Sequence, residues 1–170
     1  MPGGGRGLRI LGLDPGSRRM GYGLVDWQLS GTLHVAHGCI CATEASLARR
    51  LRVLFEAVEA IIAKHRPDEV AVERVFVNRN VASALKLGQA RGAALSAVPL
   101  GTSVFEYAPR AIKMAVVGFG GADKRQVAHM MRALLGIEDA IPADAADALA
   151  VAVCHAHSRR MHSIGWRPPA

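Results

Sequence analysis

Apolar positions in the first forty residues fall into three short runs, 8 to 13, 20 to 27 and 32 to 40, broken by the turn-rich DPGSRR and by Ser30-Gly31. Runs of this length between turn formers predict strands, and links this short predict an antiparallel meander. The period then changes. Leu47, Leu51, Leu54, Phe55, Val58, Ile61 and Ile62 recur at helical spacing, with Ser46 in an N-cap position and Pro67 beyond the end. EVAVERVFV, Glu69 to Val77, is apolar on both faces apart from its charges, the pattern of an interior strand covered on both sides. A helix over 80–98 follows, in which Ala84, Gly88 and Gly92 line one face at four-residue intervals. Small residues there permit close backbone approach, either to a second copy of the chain or to the protein's own sheet. TSVFEYA predicts a short strand, PRAIKMAVV a short helix with Pro109 near its start, DKRQVAHMMRALL a helix stopped by Gly136, and DAADALAVAVCHAHSRR a last helix.

Three antiparallel strands followed by alternating helices and strands predict an α/β fold. The expected sheet is mixed and five-stranded, three antiparallel strands then two parallel, with helices on both faces in a ribonuclease H-like arrangement. A length of 170 residues suits one domain, placed at 8–160, with a flexible extension over 1–7 and a mobile tail over 161–170. Charged residues interrupt every apolar run before bilayer length, and MPGGGRGLR lacks a signal-peptide pattern, so the reading is a cytoplasmic protein with no membrane role. Cys39, Cys41 and Cys154 form no C-x-x-C pair, which favours buried thiols over a disulfide framework or zinc site. His155 and His157 beside Cys154 read as a solvated helix end.

Charge narrows the field. The net charge is +7, and from Arg74 to Arg132 nine Arg or Lys face only Glu106 and Asp123. Such a surplus suits a polyanion, most naturally nucleic acid, although a basic surface kept for solubility explains charge alone equally well. Arg74, Lys86, Arg91, Arg110 and Arg125 are the candidate DNA contacts of that segment.

The acidic residues have a different logic. Asp14 ends the first strand before Pro15-Gly16, and Glu73 lies within the most apolar strand. Taken singly, each is explained as a turn residue or an edge charge. Asp144 and Asp147 stand at i and i+3 at the start of a helix of alanine and valine, and share one face. Asp144 also suits a first-turn or N-cap role. In the inferred sheet the first and fourth strands are neighbours, and a terminal helix laying its acidic end across their tips would bring four carboxylates together. Each like-charge pair at 4 Å costs about 4 kcal/mol at an effective dielectric of 20, so protons or cations must compensate the cluster. All-oxygen ligands suit Mg²⁺, with Mn²⁺ as a substitute, rather than zinc. A basic protein with an acidic, metal-requiring pocket makes sense as a phosphodiester hydrolase, two ions bridging carboxylates to the scissile phosphate, activating water and stabilising the leaving 3′ oxygen.

ILGLDPGSRRMGYGLVD, VERVF, ALKLGQARG, VFEYAPRAIK and PADAADALA together resemble the RuvC family of bacterial Holliday-junction resolvases, over Leu8 to about His157. The resemblance implies a homodimeric, Mg²⁺-dependent endonuclease that nicks two opposed strands of a four-way DNA junction in recombination and repair, working with the RuvA–RuvB branch-migration complex. It implies Asp14, Glu73, Asp144 and Asp147 as the catalytic, metal-holding acids, and Lys113 and Lys124 as cations at the phosphate. It also turns Phe76 from a core-strand residue into a ring at the cleft rim that stacks on an unpaired base, with Arg74, Asn78, Arg79 and Asn80 on the backbone. Arg74 stands where members of the family often carry Gln, which bears on sequence preference. The rivals are another ribonuclease H-like nuclease (YqgF-like or RNase H-like), an actin-like ATPase, for which the chain is short, and a junction-binding protein without catalysis.

Overall fold

The computed structural model describes residues 7–75 and 80–163, with side chains as far as 159. Five strands, β1 (Leu8–Asp14), β2 (Arg19–Gln28), β3 (Gly31–Cys41), β4 (Glu69–Glu73) and β5 (Ser103–Tyr107), form one sheet in the order β3-β2-β1-β4-β5. β1, β2 and β3 pair antiparallel, while β4 joins β1 and β5 joins β4 in parallel. This is the expected mixed sheet.

Two helices cover one face. α1 (Leu47–His65) and α2 (Val81–Ser96) enclose a core of Leu11, Leu13, Leu24, Leu54, Val58, Val70 and Val72. On the other face α3 (Pro109–Val117), α4 (Lys124–Leu135) and α5 (Ala143–Ser163) pack over Ile10, Val25 and Ala71. Alternation along β4 explains the split, since Val70 and Val72 face α1 and α2 while Glu69 and Ala71 face α5. Among the described residues no helix is long and apolar enough to cross a membrane.

Several expectations need correction. The fourth strand stops at Glu73 rather than Val77: Arg74 keeps one bond, its N–H to the Tyr107 carbonyl at 2.8 Å, and then leaves the ladder because β5 has ended. His155 is buried rather than solvated, at 2% exposure, because α5 is apolar on nearly every side as far as Ala156; Cys154 is buried as expected, whereas Cys41 is exposed. Burial pushes the Cys154 thiol up to about 12, which makes it unreactive. Ser46 takes the N-cap backbone geometry of α1 but makes no side-chain cap. Helix α5 also runs on to Ser163, into the stretch expected as tail.

Candidate active site

β1 and β4 are parallel neighbours, so their last residues, Asp14 and Glu73, emerge at the same end of the sheet. The third wall comes from α5, whose first turns lie across those strand ends. Glycine makes the seat. A Cβ at Gly21 would run into the backbone carbonyl of Asp144, and one at Gly12 into that of Ala148. Only bare backbone on β1 and β2 lets the helix settle deeply enough to bring Asp147 to the strand tips. Asp14, Glu73 and Asp147 then line one cleft of about 220 Å³, together with Lys113 of α3 and Lys124 of α4. Asp144 sits at its edge, where its Oδ2 accepts a hydrogen bond from Arg19 Nε at 2.9 Å. Lys124 is placed by the capping box of α4, in which Asp123 and Gln126 satisfy each other's backbone N–H, and its Nζ lies 3.2 Å from Asp147 Oδ2.

The electrostatics are those of acids crowded without enough water. Burial, then the negative charges of Asp147 and Glu73, raise Asp14 to about 7, against the pull of Lys124. Glu73 is raised by burial and by Asp147, with Lys124 and Lys113 acting in the opposite direction. Lys124 is held protonated above its ordinary range, chiefly by Asp147. As placed, no three acidic, His or Cys side chains among the described residues close around a single ion position. Asp144 is turned to Arg19 and Asp147 to Lys124, so two of the acids face the protein's own cations. The donor set itself, carboxylates only, fits a hard divalent cation.

The family model for crossover junction endodeoxyribonuclease RuvC matches residues 10–155. The chain belongs to the RuvC family. A crossover junction endodeoxyribonuclease RuvC of Hahella chejuensis is 50% identical over 154 residues, covering 90% of each chain. That of Halorhodospira halophila is 55% identical over 153 residues, 89% of this chain and 91% of that protein. Among solved structures, Thermus thermophilus RuvC in complex with a Holliday junction substrate superposes with a TM-score of 0.83 at 34% identity, covering 92% of this chain and 97% of that one. The yeast mitochondrial Holliday junction resolvase Ydc2 shares the fold at a TM-score of 0.65 and 12% identity, over 90% of this chain and 80% of that one. Membership of a crossover-junction nuclease family decides against the RNase H, YqgF and actin-like alternatives.

In this RuvC-family chain the remaining sequence candidates fall in different places. Phe76, Asn78 and Arg79 lie outside the described residues. Asn80 caps α2, its side chain accepting from Ser83 N–H at 3.0 Å. Arg91 is not an open cation: it reaches Glu106 at 2.5 Å and the Glu73 carbonyl at 3.4 Å, and so buttresses the end of β4. Arg74 shares the same Glu106, at 3.6 Å. Lys86, Arg110 and Arg125 are exposed on α2, α3 and α4.

Sequence reasoning missed Arg19, Glu69, Tyr107 and His155. Arg19 directly follows LDPGSR on the next strand, close enough in sequence to have been paired with the acids. His155 stands eleven residues after Asp144, which returns to the same helix face, and Glu69 lies four residues before Glu73 on the same strand face. Periodicity carried both signals.

Proposed function

We propose that this RuvC-family chain is a Holliday-junction resolvase, an endonuclease that nicks two opposed strands of a four-way DNA junction during recombination and repair. The observation that carries the reading is the cleft in which Asp14, Glu73 and Asp147 meet Lys113 and Lys124. Acids alone would repel a phosphodiester and lysines alone would only bind one; the combination is suited to hydrolysis. Asp14, Glu73, Asp144 and Asp147 would hold divalent cations, two Mg²⁺ per subunit with Mn²⁺ as a substitute. When bound, such ions supply an activated water and neutralise charge at the scissile phosphate and its leaving oxygen. The acids' part is to offer oxygen ligands at fixed positions. Asp144 and Asp147 must turn from Arg19 and Lys124 to do so, and this frees two cations beside the substrate backbone. Lys113 adds a third charge on the α3 side, placed for charge that builds up in the transition state.

A four-way junction opened to two-fold symmetry calls for two active sites in a two-fold dimer. The exposed side of α2 supports such a pairing: Val81 and Leu85 are 61% and 64% exposed, and a Cβ added at Gly88 or Gly92 would meet nothing within 4 Å among the described residues. The small-residue face therefore does not pack on the protein's own sheet, where Ala90 and Ala94 serve instead. Cooperation with RuvA–RuvB, and residence in the cytoplasm with the chromosome, follow from the family's role. The deciding experiment presents purified protein with a four-way junction, an RNA–DNA hybrid and a linear duplex, each with Mg²⁺, Mn²⁺, Ca²⁺ or none. Symmetric nicks confined to the junction, and only with a divalent ion, are expected. Cleavage of the hybrid, or junction binding without nicking in any metal, would defeat the reading.

A further inference from the structure

On the α5 side of the sheet, at the opposite end of β4 from the cleft, lies a buried polar chain that the nuclease reaction does not use directly. His155 is 2% exposed and Glu69 is 6% exposed. His155 Nε2 is 2.7 Å from Glu69 Oε2, and His155 Nδ1 is 2.6 Å from the Tyr107 hydroxyl. A carboxylate only accepts, so Nε2 carries the proton and donates to Glu69; in the neutral ring Nδ1 then accepts from the Tyr107 O–H. Arg159 completes the set, its Nε donating to Glu69 Oε2 at 2.9 Å, which gives the buried carboxylate its counter-charge. Phe105 lies against the imidazole with ring centroids 4.3 Å apart.

Such a chain is costly to bury, and its position suggests what it does. Glu69 and Glu73 are four residues apart on β4, about 13 Å at strand rise. His155 and Asp147 are eight residues apart on α5, about 12 Å at helix rise. These are two rods of matching length, one ending in Glu73 and the other in Asp147, and the Glu69–His155 bond ties their far ends together. Tyr107 extends the tie to a third element. It is the register partner of Glu73, its carbonyl takes the Arg74 N–H at 2.8 Å, and α3 with Lys113 begins two residues later at Pro109.

We infer that Glu69, His155 and Tyr107 form a positioning brace that sets α5 against β4 and β5, and thereby fixes the distance between Glu73 and Asp147 required for divalent-cation binding. The inference rests on reading those two acids as metal ligands. None of the three touches substrate or metal; they act through the spacing of those that do. The brace also accounts for the buried imidazole of His155, at a position that packing alone would fill with leucine.

The test uses the full chain with Glu73→Gln as the reference and Mn²⁺ binding followed by electron paramagnetic resonance, without DNA. Tyr107→Phe removes one hydroxyl and leaves the ring, and should weaken Mn²⁺ binding about threefold; His155→Ala should weaken it roughly tenfold, the low end of what ligand-orienting residues contribute. The metal concentration that half-saturates nicking should move by the same factors, with rate restored at saturating Mn²⁺ and with metal-free junction binding unchanged. A melting temperature that falls while Mn²⁺ binding by the folded Tyr107→Phe protein stays at the wild-type value would overturn the brace and leave a merely structural network. Should His155→Ala fail to fold, Tyr107→Phe alone decides. If Glu73→Gln itself leaves Mn²⁺ binding intact, the metal reading of the cleft falls, and the brace with it.

Discussion

Replacing Asp14 by Asn should stabilise the metal-free protein at alkaline pH while abolishing its nuclease activity. Asp14 ionises at about 7 in the fold against an ordinary 3.8, because it is buried and faces Asp147 and Glu73. A carboxyl whose folded value is raised contributes its stability below the unfolded value, where both states hold the proton, and loses it as pH rises through the folded value. Between pH 4 and 7 the folded state binds more protons than the unfolded one, so stability falls across that window and is level above it. The gap of three pH units, at 1.36 kcal/mol each, makes a cost of about 4 kcal/mol at pH 8. Asn carries no such cost but leaves a carboxamide short of partners, at about 1 to 3 kcal/mol. The balance favours Asn by about 2 kcal/mol at pH 8, which for a chain of this size raises the melting temperature by roughly 4 to 8 °C. The assay is thermal unfolding of both proteins in a chelator at pH 4.5, 6, 7 and 8. The advantage of Asn should vanish at pH 4.5 and grow to its full value by pH 8. Adding Mg²⁺ at pH 8 should then raise the melting temperature of wild type and not of Asp14→Asn. A difference that is flat with pH, or a wild type that is the more stable at pH 8 without metal, would refute the view of these acids as a strained, cation-seeking cluster.

Glu73→Gln and Asp147→Asn should each slow single-turnover nicking at least about 100-fold, the scale of losing one preorganised charged group, while a gel-shift in chelator shows junction affinity kept or tightened; Asp144→Asn, at the edge with Arg19, should lose less. Lys113→Ala should lower the single-turnover rate more than it lowers affinity, and an unchanged rate with a shallower salt dependence of binding would make it a positioning contact only. Gly88→Glu should leave the fold intact, because none of the described residues lies within 4 Å of the added Cβ, but should yield monomers by sedimentation and uncoupled single nicks. Phe76→Ala should slow cleavage of a fully paired junction and lose less on one with bases already unpaired at the crossover, consistent with a stacking contact of about 1 to 3 kcal/mol per base.

The sheet order was legible because turn spacing and strand count leave little choice: two tight links force the antiparallel meander, and each later strand arrives after a helix. The acids were legible for a related reason, since a carboxylate at a strand tip and a pair at i and i+3 on an alanine helix have few mundane explanations in combination. What composition and period did not reveal was depth. Nothing in GLDPG or MGYG says which glycines serve a turn and which lie beneath a helix, and Gly12 and Gly21 prove to be the latter. Cation pairing was hidden likewise. Arg91 has the same formal charge as Lys86, yet Glu106 and the Glu73 carbonyl occupy the first while the second is exposed, a distinction made only by which strand ends beside which helix. The buried His155 was misjudged because the ends of helices are usually wet, whereas α5 is enclosed well past its midpoint.

The glycine seat beneath α5 ties the birth of the enzyme to the completion of its chain. Asp14 and Glu73 belong to strands made early, and the basic residues of α2 to α4 are all in place before Asp144 is synthesised. Yet the helix bearing Asp144 and Asp147 also supplies Leu149, Ala152 and Val153 to the core on that face of the sheet. A nascent or prematurely terminated chain therefore lacks half of its acids and the packing of one sheet face together. On the proposed reading of these acids, competence to cut DNA would arise only at the folding step that seals the domain.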